Sequence, residues 1–313
     1  MKSVFIFFLL IVCINSMAQD DSVAIKTPQK EETPAPKIFY SQKVINTKSV
    51  EVLRKGVLEF NVSHNFDDIA GDKGGIKKFF GLDNSTDVRI GFQVGLSDKF
   101  NMVFARAKGQ YVAQQWELGI KYQLLQQLEN DPSHPLSLTM YVNDVVSTQK
   151  RSDRSLGETE TSFQDFGDRH SQIVQLMLAR KMGKVSLQLS PLYLHTNHVV
   201  PYDQENIFAL GGAIRLPLSK KIIVLADYFH PFRSESTKDA FEADGFKLYD
   251  AFGIGLEILT EGHVFHINFT NATELLENRF IRKTVTNWGD GEYRWAFTIS
   301  RNFILFKDKK NRN

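Results

Sequence analysis

Six stretches of the chain alternate apolar and polar residues with a period of two. In residues 58–66 the even positions carry Leu58, Phe60, Val62 and Phe66, with His64 as the exception. The odd positions carry Glu59, Asn61, Ser63 and Asn65. Residues 88–96, 116–124, 136–142, 252–258 and 293–299 repeat the pattern. Successive side chains of a strand point to opposite faces, so each stretch predicts a strand with one apolar and one polar face. Weaker alternation fills the gaps at residues 100–107, 171–181, 184–195, 206–217, 221–230 and 263–270. The sum is about twelve strands, each near the roughly 9–11 residues that a tilted membrane-spanning strand needs.

The connections alternate in length. A long Gly- and Asp-rich link follows the first strand (residues 67–85), and a tight Ser97-Asp98-Lys99 link follows the second. Residues 145–170, 196–205, 231–247 and 271–291 are long; Met182-Gly183, Leu218-Ser219-Lys220 and Glu261-Gly262 are tight. The link after the third strand and the 125–135 turn break the pattern. Long outer loops and short periplasmic turns around an even strand number predict an all-β, transmembrane, antiparallel up-and-down β-barrel with both ends on the periplasmic side. The mean hydropathy is slightly negative. That rules out a bundle of apolar helices but not a barrel, in which only alternate residues meet lipid.

The ends read differently. Met1-Lys2-Ser3, an apolar run from Val4 to Ile14 and small residues at Ser16 and Ala18 predict a signal peptide over residues 1–18. The only cysteine, Cys13, leaves with it. Residues 19–40, polar and proline-bearing, read as a flexible periplasmic leader. Residues 41–306 form the barrel, and 307–313 a charged tail. The net charge of +2 and the shortness of that tail give no footprint for nucleic acid. The 25 phenylalanines suit both a lipid-facing belt and a packed core.

Three segments also carry a family resemblance. They are Lys43-Val44-Ile45-Asn46-Thr47-Lys48-Ser49-Val50-Glu51-Val52-Leu53, followed by Gly56, Leu58 and His64-Asn65-Phe66; then Phe80-Gly81-Leu82-Asp83-Asn84-Ser85-Thr86-Asp87-Val88-Arg89-Ile90-Gly91-Phe92; then Glu117-Leu118-Gly119-Ile120-Lys121-Tyr122. Together they resemble the domain-of-unknown-function family numbered 5777, β-barrel proteins of Bacteroidota. The resemblance implies an outer-membrane barrel and supplies no reaction, ligand or catalytic residue.

With apolar positions facing lipid, the lumen receives Glu59, Arg89, Glu117, Lys121, Asp227, Glu257, His266 and Arg294. Barrel closure sets Arg294, Glu59 and Arg89 on three consecutive strands, where opposite charges can pair. Two readings stay open: a salt-bridged interior, or a polar path for a small solute. The mixed signs argue against a strongly ion-selective pore. His195 and His198, near Asp203 and Glu205, are weak metal candidates, since zinc needs three or four ligands in defined geometry. No cofactor fingerprint and no catalytic motif appears. His64, at the lipid-facing outer end of the first strand, leaves a phospholipase-like membrane hydrolase as an alternative; a soluble secreted β-barrel or sandwich that binds a ligand is another. The expected partners are outer-membrane lipid, the barrel-assembly machinery during biogenesis and a small polar solute.

Overall fold

Twelve strands close into one antiparallel barrel in the computed structural model, which describes residues 35–71, 74–109 and 114–306. In chain order they are β1 (Val57–Asp68), β2 (Ser85–Gly95), β3 (Phe100–Gly109), β4 (Gln114–Leu125), β5 (Ser137–Ser147), β6 (His170–Met182), β7 (Val185–Thr196), β8 (Asn206–Pro217), β9 (Ile222–Phe232), β10 (Ala251–Leu259), β11 (Val264–Thr270) and β12 (Arg294–Ile304). Each pairs with its neighbours in sequence, and β1 pairs with β12, so no strand edge is left open. The twelve-strand antiparallel barrel expected from alternation is therefore the fold. Register slips only locally, for instance where Asp68 lies opposite Arg294. The signal peptide, most of the leader and the charged tail fall outside the described residues.

Alternation puts the apolar side chains on the outside. Along β4, Trp116, Leu118, Ile120, Tyr122 and Leu124 are exposed, while Gln115, Glu117, Lys121 and Gln123 are buried. On a barrel the exposed apolar face is the one that meets lipid. Among the described residues no helix is long and apolar enough to cross a membrane.

The interior departs from a purely polar lumen. On β6–β9 the inward positions include Ile173, Met177, Leu192, Leu194, Ile207, Ile223, Leu225 and Phe229, all buried, beside the polar Gln175, Gln188, Arg215 and Asp227. These side chains do not face water. Ile38, Phe39, Val44, Ile45 and Val50 pack with Met177, Ile223 and Leu225 in one cluster. Ala272, Phe280 and Ile281 pack with Ile173, Leu194, Ile207 and Phe229 in another. Two pieces of chain thus occupy the barrel. One is the stretch that precedes β1. The other is the β11–β12 loop, with its short helix α2 (Glu277–Phe280); the longer helix α1 (Glu235–Ala243) belongs to the β9–β10 loop. Ile38 and Phe39 fall within the 19–40 span read as a flexible leader, yet they are 2% and 1% exposed, because both are apolar and pack against the wall.

Candidate functional site: a lumen closed by two inserts

The stretch before β1 lacks the side-chain alternation of a strand because its backbone bonds to the wall instead of to a ladder. It turns back on itself at residues 43–48, where Val44 N–H donates to Thr47 O at 2.8 Å and Ser49 N–H to Gln42 O at 3.0 Å. The tip of this turn is held by Asp227 of β9. Its carboxylate accepts the backbone N–H groups of Ile45 (3.2 Å), Asn46 (2.6 Å) and Thr47 (2.9 Å), and the Asn46 side-chain amide at 2.9 Å. Successive N–H groups converging on one oxygen form an anion-binding concavity, here filled by the protein's own carboxylate. At Gly253, opposite the same turn, an added Cβ would lie 2.6 Å from Ile45 Cγ2, so a residue without a side chain lets the insert approach the wall.

Further along, wall side chains take over the role of a paired strand. Gln188 accepts from Val50 N–H at 2.7 Å and donates to Lys48 O at 2.8 Å. Lys121 donates to the carbonyls of Ser49 (2.8 Å) and Glu51 (2.5 Å), and Asn101 brackets Leu53 by accepting its N–H and donating to its C=O. Buried backbone groups need partners, and the polar lumen supplies them.

The second insert enters from the other end. Asp87 of β2 accepts Leu275 N–H at 2.7 Å, and Asn65 and Thr86 donate to the carbonyls of Ala272 and Thr273. Arg279 bridges Glu274 and Glu160, both at 2.8 Å, while Arg282 and Arg233 share Asp203. Burial alone would raise the Glu160 carboxyl, yet Arg279 and Lys283 outweigh it and hold the group down at about 2.

The inserts meet on one side chain. Lys48 Nζ lies 2.7 Å from Glu117 of β4 and 2.8 Å from Glu277 of α2, and 4.6 Å over the Tyr141 ring. Glu117 also receives Arg89 at 2.6 Å, the Tyr141 hydroxyl at 2.5 Å and Asn143 at 3.3 Å. N-terminal insert, wall and loop are therefore tied at a single buried junction. The space left there is small: a cavity of about 20 Å³ bounded by Lys43, Lys48, Asn61, Arg89, Gln93 and Glu277, which is room for about one water-sized particle. A second, of about 30 Å³, lies beside Glu160, Arg279 and Arg282. A larger hollow of about 360 Å³ between Arg233, Tyr249 and Asp250 ends against Ile281 and Arg282 of the loop.

All eight lumen candidates are buried, none more than 5% exposed. Arg89 and Glu117 are brought together directly, as are Glu257 and His266 at 3.3 Å, with Arg215 3.4 Å from Glu257. Glu59 touches Asn61. Arg294 does not join Glu59 and Arg89: the register brings it to Asp68, 2.6 Å away. The Glu59–Arg89–Glu117–Lys121 track is occupied by chain rather than open. Sequence reasoning missed Lys43, Lys48 and Glu277, because period-two reading ignores segments that are not strands. One signal was available: the sharpest family motif, residues 43–53, lies outside every strand.

The histidines do not converge. His195 Nδ1 lies 2.8 Å from Asn206 Oδ1, His198 Nε2 lies 3.0 Å from Thr159 O, and Asp203 is taken by the two arginines. Among the described residues no group of three or more potential metal ligands forms. His64 stacks on Phe297 at 4.9 Å and has Ser85 Oγ at a long 3.4 Å, but the nearby Asn65 side chain points inward to Ala272 and Thr273. The residue types of a triad are present without its geometry.

Comparison with known proteins adds a family. The family model described as "Membrane bound beta barrel domain (DUF5777)" matches residues 39–303. No curated protein matches the chain. Among solved structures, a KdgM porin aligns with a TM-score of 0.47 at 8% identity, covering 78% of this chain and 99% of that one. A NanC porin aligns at 0.44 and 7%, covering 79% and 100%. The Acinetobacter baumannii outer membrane protein Omp33 aligns at 0.39 and 8%, covering 79% and 97%. The family match begins at Phe39, inside the first insert, and ends one residue before the close of β12, so it takes in the plugging segment together with the wall: the chain belongs to the membrane bound beta barrel domain family DUF5777.

Proposed function

We propose that this protein is an outer-membrane barrel whose polar lumen is a narrow passage held shut by its own N-terminal insert. The observation that carries the reading is the Lys48 junction, where insert, wall and loop share one buried set of charges. A barrel filled only for stability is served as well by apolar packing, since a buried ion pair is seldom worth more than its hydrophobic replacement. Here the polar contacts instead fasten a separate piece of chain that has its own way in from the end where β1 begins and β12 ends. That end is the periplasmic one. The passage would take a small polar solute once the insert withdraws. The N-terminal signal peptide, the periplasmic leader, the surrounding lipid, the assembly machinery and a Bacteroidota source belong to the same reading.

Planar-bilayer recording tests it. Purified full-length protein should show no steady conductance, and the double variant Lys48→Met, Asp227→Ala should conduct. A wild type that conducts steadily, or a variant that stays silent although its insert has become protease-accessible, rules the gated passage out. The second outcome leaves a structural barrel.

A further inference from the structure

Lys43 is buried, 7% exposed as a residue, and its ammonium has no hydrogen-bond acceptor among the described residues. A buried ammonium without a partner is among the most costly arrangements in a protein. Its surroundings aggravate this. The cavity it lines is shared with Lys48 and Arg89, and with the amide side chains of Gln42, Asn61 and Gln93. Lys48 and Arg89 are themselves satisfied by Glu117 and Glu277. Three cations thus stand against two carboxylates, and the one left over is Lys43. Two further carboxylates act on Lys43 from a distance, and neither forms a hydrogen bond with it: Asp227 is taken by the N–H groups of residues 45–47 and Asp87 by Leu275 N–H.

We propose that the cavity bounded by Lys43, Lys48 and Arg89 binds one monovalent, monatomic anion, chloride in solution. The charge left over is a single positive one, which a monovalent anion balances. The volume of about 20 Å³ admits one particle of water or halide size and excludes phosphate or a carboxylate-bearing solute. Both inserts contribute, Lys43 and Lys48 from one and Glu277 from the other, so the anion sits at their junction and binds only when both are seated. The site does not depend on whether the barrel conducts.

The test is crystallisation of the full-length protein from sodium bromide, with data collected at the bromine absorption edge. One anomalous peak within hydrogen-bonding distance of Lys43 Nζ is expected, and it should vanish in Lys43→Met. Absence of a peak there in the wild type, a water refining in its place, or a peak unchanged in the variant overturns the proposal. A second measurement holds even if the variant does not fold. Replacing gluconate by chloride at constant ionic strength should raise the thermal midpoint of the wild type, because a ligand that binds only the folded state stabilises it by mass action. A midpoint indifferent to chloride overturns the site; its failure leaves the closed lumen untouched.

Discussion

Replacing Lys48 by Met should loosen both inserts while leaving the barrel wall intact. The consequences fall unequally on its two partners. Glu117 keeps Arg89, Tyr141 and Asn143. Glu277 has only the two Lys48 contacts, at 2.8 and 2.9 Å, as side-chain hydrogen bonds among the described residues, and it is 1% exposed. Removing one partner of a buried ion pair costs about 3–5 kcal/mol, because the other charge is left without compensation. That corresponds to roughly a hundredfold to a few thousandfold in the seated-to-released ratio of the loop. Hydrogen exchange in the membrane-embedded protein reads this ratio directly: amides of residues 272–284 should exchange faster by that factor, while those of β3 and β4 should not change. Lys48→Met combined with Glu277→Leu should recover most of the protection, since two apolar groups can replace a buried pair. Unchanged loop exchange in the single variant, or no recovery in the double one, would refute the view that this pair joins the inserts.

Other expectations follow from the same geometry. Asp227→Ala leaves three buried backbone N–H groups without an acceptor, at about 1–3 kcal/mol each; limited proteolysis should then cleave within residues 38–53, which the wild type should resist. Gly95→Ala should lower the thermal midpoint, because its Cβ would lie 2.1 Å from the Arg54 carbonyl, backbone that cannot turn aside; overpacking of this kind costs about 1–3 kcal/mol. Glu160 is held down at about 2 against an ordinary 4.5, so its contribution to loop docking is complete above about 4.5 and disappears as the pH falls through about 2. Loop exchange in the wild type should therefore rise across that window, whereas Glu160→Gln should exchange faster at neutral pH and add no further change there.

Much of the wall was legible in the sequence, and the reason its clarity varied is physical. Alternation was clean in β1, β2, β4 and β10, whose outward side chains meet lipid and whose inward positions are mostly polar groups or glycine. It was weak in β3 and in β6–β9, where inward positions such as Val103, Ile173, Leu194 and Phe229 are apolar too, because chain rather than water covers them. Those five weak strands were thus an unread sign of a filled lumen; β11, equally weak, is short and its inward His266, Asn268 and Thr270 are polar, so it does not share that reason. The wall charges could be named in advance, but their partners could not. Arg294 meets Asp68 through a register slip at the end of β1, and Lys48 and Glu277 are 229 residues apart on segments without periodicity.

The chain ahead of β1 lies seated inside the barrel. Residue-resolved hydrogen exchange of the full-length protein in lipid tests it most directly. The backbone N–H groups of Val44, Ile45, Asn46, Thr47, Ser49, Val50 and Leu53 all have acceptors there. Slow exchange is expected for these amides, orders of magnitude below that of an open chain. Exchange at open-chain rates, with the barrel strands still protected, would contradict it.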